Sequence, residues 1–118
     1  MYQDRVVLCA SSAYDKKFYM NDDFDTLPEQ IKNELKIMCV LYTEDVGGVL
    51  TLEYDEDGTL LFSVNPKEND FSFDEIGSVL KIKELQRTKS ELLEALEIFY
   101  RVFFLNQDPA DLLDEEEE

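Results

Sequence analysis

Short runs of apolar residues form two pairs along the chain, and residues that favour turns separate the members of each pair. The runs "RVVLCA" (5–10) and "KKFYM" (16–20) are rich in β-branched and aromatic residues, and "SSAYD" between them can turn. The runs "VLTLEY" and "TLLFSV" flank "DEDG", where Asp57 and Gly58 both tolerate positive φ. The pattern therefore predicts two β-hairpins.

Longer segments with apolar residues at helical spacing predict three helices. The first, "TLPEQIKNELKIMCVLYTEDV", is expected to end near Val46, because Gly47 suits a left-handed C-cap. The second, "FDEIGSVLKIKEL", and the third, "SELLEALEIFYRVFFL", follow the second hairpin. The first helix is expected to bury one stripe, formed by Leu27, Ile31, Leu35, Met38, Cys39 and Tyr42. The second is expected to turn inward Phe73, Ile76, Leu80 and Ile82.

Each predicted helix is preceded by a Ser or Thr with a Glu three residues later, which is the pattern of a capping box. The three pairs are Thr26 with Glu29, Ser72 with Glu75, and Thr88 with Glu91. Gly77 lies inside the second helix, where it costs up to ~1 kcal/mol relative to alanine. Because such a glycine usually lets another backbone approach, we expect close packing there.

The third helix is apolar around most of its circumference, which is typical of a helix buried on several sides. One stripe consists of Leu92, Leu96, Phe99 and Phe103, and the adjoining stripe of Leu93, Tyr100 and Phe104. Two interpretations stay open. The helix is either entirely core, or core that also forms a partner or homodimer interface, for which the predicted residues are Phe99, Tyr100, Phe103 and Phe104.

The element order β-β-α-β-β-α-α predicts an α+β fold. We expect a four-stranded antiparallel sheet built from the two hairpins, with three helices on one face and the last helix central. A chain of 118 residues suggests one domain, which we assign to residues 1–107. The segment "DPADLLDEEEE", residues 108–118, predicts a disordered acidic tail because like charges repel one another.

The net charge of −17 changes the range of expected partners. Seven of the 28 acidic residues follow residue 107, so the rest of the chain, with 21 acidic and 11 basic residues, still carries −10. Such a surface repels the phosphates of nucleic acids and of anionic membranes. We therefore expect protein partners, or a second copy of the chain, and neither nucleic acid nor membrane.

Carboxylates are the main candidates for catalysis or metal binding, but with 28 acidic residues in 118 some pair will resemble such a site by chance. There is no histidine, which excludes a Cys–His or Ser–His nucleophile, and the two cysteines form no metal-binding motif. The acidic turn around Gly58 fails as a calcium loop, because placing Gly58 sixth puts Val64 where the twelfth-position glutamate belongs. We predict a non-enzymatic protein with no catalytic, cofactor-binding or metal-binding residue.

The cysteines and the N-terminal segment bear on the compartment. Cys9 and Cys39 lie in apolar runs, where reduced cysteine behaves as a small hydrophobic residue. The segment "MYQDRVVLCASS" does not resemble a signal peptide, and no apolar run approaches the ~18 residues of a membrane span. We expect a cytoplasmic protein.

Three longer segments carry a resemblance to a known family: "LKIMCVLYTEDVGGVLTLEYDEDGTL", "ENDFSFDEIGSVLKIKELQ" and "FYRVFFL". Together they resemble a family of small acidic proteins of unknown function from anaerobic Gram-positive bacteria. The resemblance covers most of residues 1–105 and implies a bacterial, cytosolic source. It implies no catalytic residues.

Three functional hypotheses follow from the sequence. The first is a non-enzymatic protein-binding module, an adaptor or small chaperone that forms a homodimer or binds another protein, favoured by the wide apolar arc of the last helix. The second is an acidic mimic of nucleic acid that blocks a nucleic-acid-binding protein. The third is a carboxylate-based metal binder or enzyme, which would need a deep pocket lined by several acids.

Overall fold

The computed structural model describes residues 5–108. The strands are β1 (Val6–Ser12), β2 (Lys17–Met20), β3 (Val49–Tyr54) and β4 (Leu60–Asn65). The helices are α1 (Glu29–Val46), α2 (Glu75–Thr88) and α3 (Ser90–Phe103), with a short 3-10 helix at Asp22–Phe24. This confirms the α+β fold, the two hairpins and the predicted element order. The predicted tail lies outside the described residues apart from Asp108, so the domain limits stay a prediction.

The four strands form one antiparallel sheet in the order β2-β1-β3-β4, which places the two hairpins side by side. One sheet face is buried, and on β3 it presents Leu50, Leu52 and Tyr54. The pairing of β1 with β3 shifts by one residue between Val7 and Cys9, which marks a bulge. The extra residue, Leu8, is fully buried.

Helix α1 lies over the middle of the sheet, against β1, β2 and β3. Its buried residues include Leu35, Met38, Cys39 and Tyr42, as the apolar spacing predicted. It ends at Val46, and Gly47 follows with a φ of 95°, which confirms the predicted end of the helix.

The prediction of a central last helix is wrong, because α3 packs beside α2 and over the edge strand β4. Two side chains of α3 hold the turn of the second hairpin. Glu97 Oε2 accepts a hydrogen bond from the Leu60 amide at 2.9 Å, and Arg101 Nε donates to the carbonyl of Asp57 at 3.2 Å. These contacts fix α3 to the edge of the sheet.

An aromatic cluster joins α3 to the sheet and to the 3-10 helix. The rings of Tyr54 and Tyr100 stack with centroids 4.0 Å apart, and Phe24 stacks on Phe104 at 4.8 Å. The Tyr54 hydroxyl donates to the carbonyl of Leu96 at 2.9 Å. Phe24 is fully buried although the acidic segment "NDDFD" surrounds it, so its ring anchors this segment to the core. Asn21 of the same segment donates to the carbonyl of Val7 on β1 at 2.7 Å.

The second helix packs with a different face from the predicted one. Ser78 and Leu85 are its buried residues, whereas Ile76 and Leu80 face solvent. The small side chain of Ser78 lets α2 approach α1, where the Tyr42 hydroxyl donates to the Ser78 carbonyl at 3.2 Å. The inward assignment of Ile76 and Leu80 is therefore wrong, and Ile82 is only partly buried.

None of the three predicted capping boxes caps its helix. Pro28 is the N-cap of α1 and Lys89 the N-cap of α3, both without a side-chain cap, while Asp74 caps α2 by accepting from the Gly77 amide at 2.9 Å. Thr88 belongs to the end of α2, where its hydroxyl donates to the backbone carbonyl of Glu84 at 2.9 Å. The space beside Gly77 is occupied by the Asp74 carboxylate rather than by another backbone.

Candidate protein-binding groove

Helices α1 and α2 expose five apolar side chains: Ile37, Leu41, Ile76, Val79 and Leu80. Of these, Ile37, Leu41 and Leu80 line the space between the two helices. Ile37 and Leu41 are four residues apart, as are Ile76 and Leu80, so each pair lies on one face of its helix. Leu41 is 57% exposed and Leu80 62% exposed. Ile37 and Leu41 lie beside the buried stripe of α1, and Ile76 and Leu80 lie opposite the buried residues of α2. The sheet therefore covers neither pair.

A groove runs between the two helices and contains two adjoining cavities of about 280 and 360 Å³. Met38, Tyr42 and Leu85 form the floor of the first cavity. Leu80 and Val46 border the second, and Lys81 lines both. The groove therefore has an apolar floor, with exposed apolar side chains along its edges.

The rim of the groove is mostly acidic, through Glu34, Asp45, Asp74 and Glu84. Lys81 Nζ lies 3.6 Å from Asp45 Oδ2 on α1 and 3.4 Å from Glu84 Oε1 on α2. Lys89 is the second basic residue of the rim. Four carboxylates against two ammonium groups favour a ligand with an apolar stripe between basic residues.

The interface residues predicted on α3 have different environments. Tyr100 is buried against Tyr54, and Phe99 and Phe104 are partly buried beside Phe24. Phe103 is 67% exposed, and its ring lies 4.7 Å from that of Phe99. The four residues are thus one continuous aromatic group of which Phe103 is the most accessible, and its role as an interface stays a prediction.

The groove was missed in the sequence because periodicity shows that a helix has an apolar face without showing which face meets the sheet. One signal was available. Ile76 and Leu80 lie on the opposite side of a helical wheel from Ser78 and Leu85, so α2 has two candidate inward faces.

Within residues 5–108, the Cys, Asp and Glu side chains form no group of three that could hold a metal ion. Cys9 and Cys39 are both free and buried, with their sulfur atoms 3.9 Å apart. In the same part of the chain, no helix has both the length and the apolar character that a membrane crossing needs.

Comparison with curated proteins and with solved structures gives no match. A family model does match, and it covers residues 5–108, which include every strand and helix described above. The chain therefore belongs to this family, a family of unknown function designated DUF6145.

Proposed function

We propose that this protein is a non-enzymatic protein-binding module of the bacterial cytoplasm, and that the groove between α1 and α2 binds an amphipathic helix with basic flanks. The observation that carries the proposal is that three exposed apolar side chains, Ile37, Leu41 and Leu80, line an acid-rimmed groove with an apolar floor. Single exposed apolar residues are ordinary on protein surfaces, whereas a contiguous patch with a polar rim is typical of an interface.

The shape of the groove supports a helical ligand. Two packed helices leave a linear channel between them, and an amphipathic helix fills such a channel with side chains at positions i, i+3 or i+4, and i+7. Met38, Tyr42 and Leu85 would contact the apolar stripe of the ligand. Basic residues beside that stripe would meet the carboxylates of the rim, which sets the orientation and speeds the encounter.

A second copy of this chain is the competing occupant of the groove. The acidic rim argues against it, because two copies that meet at the groove would bring like charges together. A dimer that forms through α3 stays an alternative hypothesis, based on the aromatic group that contains Phe103. A nucleic-acid mimic and a carboxylate-based metal binder or enzyme stay alternative hypotheses, and no specific observation favours either.

The test uses three synthetic peptides, measured by isothermal titration calorimetry on the full chain. One is a helical peptide with a leucine stripe flanked by lysine, one has glutamate in place of lysine, and one is a scrambled form of the first. We expect the basic amphipathic peptide to bind and the other two to bind much more weakly. Comparable affinity for all three peptides would contradict the proposal.

Variants locate the site. Leu41→Ser combined with Leu80→Ser should weaken binding by at least about tenfold, since each buried leucine contributes roughly 1.5–3 kcal/mol. Phe103→Ser is the matched control, because it also removes an exposed apolar side chain but on α3. If Phe103→Ser reduces binding and the groove variant does not, the interface is on α3. The mass of the unliganded chain, measured by analytical ultracentrifugation, shows whether it forms a dimer.

A further inference from the structure

A second cavity, which we call the hairpin pocket, lies on the other flank of α1, away from the groove. It has a volume of about 790 Å³, is open to solvent on one side, and is lined by the β1–β2 turn, by α1 and by the loop between β4 and α2. Small-molecule sites usually measure roughly 300–1,000 Å³, so its size suits a small organic ligand. Within residues 5–108, this pocket and the two cavities of the groove share no lining residue.

Three of the chain's eight lysines line the hairpin pocket: Lys16 and Lys17 from the first hairpin, and Lys36 from α1. Among the described residues, none of the three has a carboxylate within 4 Å of its ammonium group. Lys32 and Lys81, in contrast, each pair with two carboxylates. Unpaired lysines brought together from distant segments of a strongly acidic chain indicate a site for an anion.

Two carboxylates also line the pocket, and Asp70 already has its hydrogen-bond donors. It accepts from the Tyr14 hydroxyl at 2.6 Å, and from the amide and hydroxyl of Ser72 at 3.2 and 2.9 Å. These bonds, chiefly that from Tyr14, lower the pKa of Asp70, so its carboxylate holds the loop against the hairpin. Glu44 is the second carboxylate, which leaves the lysines in excess by three charges to two.

The remaining wall combines apolar and hydroxyl groups. Phe18 and Val40 provide apolar surface, and Ser12 and Thr43 provide hydroxyls. The Thr43 hydroxyl already bonds to Ser11 at 2.9 Å, so the wall is held in place by β1 and α1. A ligand with an anionic group and an uncharged body would match the two parts of this wall.

We propose that the hairpin pocket binds a small organic anion. Lys16 and Lys36 receive its phosphate or carboxylate group, Lys17 adds positive charge at the edge of the pocket, and its uncharged body lies against Phe18 and Val40. This site is separate from the protein-binding groove, so either proposal can be wrong while the other holds.

The experiment is an amide NMR titration of the full chain at constant ionic strength, balanced with sodium chloride. The probes are inorganic phosphate, citrate, adenosine monophosphate and uncharged adenosine. We expect saturable shifts, centred on the β1–β2 turn and on Gly47 and Ser72, from at least one anion and not from adenosine alone. Shifts from phosphate and the nucleotide would identify a phosphate ligand, and shifts from citrate alone a carboxylate.

Charge-neutral variants test the lysines. Lys17→Gln with Lys36→Gln should weaken binding by about tenfold, because one charge-assisted contact and one neighbouring positive charge are lost. Lys83→Gln with Arg87→Gln removes the same charge from exposed positions on α2 and should leave the affinity unchanged. Lys16 is left unchanged in both variants, because it has a φ of 53° within the β1–β2 turn and its substitution could alter the turn.

Three results would overturn the proposal: no saturable shift with any anion, shifts spread evenly over the surface, or an equal loss of affinity in the two double variants. The location of the wild-type shifts decides the question even if the pocket variant folds poorly.

Discussion

The Tyr14 hydroxyl donates a 2.6 Å hydrogen bond to Asp70, 56 residues further along the chain. The same hydroxyl accepts from the Lys67 amide at 2.9 Å, and the Lys67 ammonium lies 5.0 Å from the centre of the Tyr14 ring. Tyr14 thus connects the first hairpin turn to the loop before α2. This contact shapes one side of the hairpin pocket.

Removing this hydroxyl should change how Asp70 titrates. The Tyr14 hydrogen bond is the largest cause that holds the pKa of Asp70 below 3.8, so Tyr14→Phe should raise that pKa. In the wild type, the stability contributed by Asp70 is fully present above pH 3.8 and is lost as the pH falls from there through the lower folded value. The variant should lose less stability in that window.

Carbon-detected NMR of the Asp70 carboxyl measures the pKa directly. Tyr19→Phe is the control, because Tyr19 is an exposed tyrosine on the same hairpin. Identical Asp70 midpoints in the wild type and in Tyr14→Phe would show that the bond does not form in solution.

The buried tyrosines should make the protein sensitive to alkali. Burial is the largest cause that raises the pKa of Tyr42, Tyr54 and Tyr100 above the ordinary value of 10.0. A raised pKa means that their contribution to stability is fully present below pH 10 and is lost as the pH rises through the folded values. We expect unfolding, followed by circular dichroism, to coincide with the ultraviolet signal of tyrosinate.

Tyr54→Phe isolates one of these groups. At neutral pH it should destabilise the fold by about 1 kcal/mol, because the hydrogen bond to the Leu96 carbonyl is lost. Above pH 10 the variant should lose stability less steeply than the wild type. A variant with the wild-type alkaline profile would show that Tyr54 does not contribute to this transition.

The orientation of α2 predicts a large loss of stability when one of its leucines is shortened and almost none for another. Leu85 is 9% exposed and Leu80 is 62% exposed. Leu85→Ala should reduce the free energy of unfolding by roughly 2–5 kcal/mol, since it leaves a cavity. Leu80→Ala should change it by no more than about 0.5 kcal/mol, as is usual for an exposed site. Urea denaturation of both variants gives the comparison, and the reverse order would mean that α2 packs as its sequence first indicated.

The two cysteines should react slowly while the protein is folded. Cys9 and Cys39 are fully buried, and the hydrogen bond between them together with burial raises the pKa of the Cys9 thiol. The thiolate is the reactive form, so a disulfide reagent should label neither cysteine in buffer and both in urea. Rapid labelling in buffer would mean that α1 separates readily from β1.

The sequence predicts those features that depend on neighbouring residues. The two hairpins follow from local turn signals, of which Asp57–Gly58 is one, and the end of α1 follows from Gly47. Helix starts were harder, because in a chain with 28 acidic residues a glutamate falls three positions after Thr26, Ser72 and Thr88 without forming a cap. Pro28 and Asp74 set the starts of α1 and α2 instead.

Features that depend on distant residues were not predictable. Ser78 is buried because α1 brings Tyr42 to its carbonyl, and no local pattern marks this contact. Both candidate sites are of this kind. The groove forms only when α1 and α2 lie side by side. The hairpin pocket brings together Lys17 and Asp70, which are distant in the sequence and which no local pattern relates.

Two glycines provide the last prediction, because only one of them needs a positive φ. Gly48 has a φ of 77°, and an added Cβ would lie 2.9 Å from Phe73 Cε1 and 3.2 Å from the Asn65 carbonyl oxygen. Gly48→Ala should therefore reduce stability by more than about 1–2 kcal/mol, the approximate cost of the left-handed conformation alone. Gly77→Ala gains up to about 1 kcal/mol of helix propensity but displaces the Asp74 cap, which contributes a similar amount, so its net effect should be small. Urea denaturation of the two variants distinguishes these effects, and equal stability losses would mean that the backbone at Gly48 relaxes to accept a side chain.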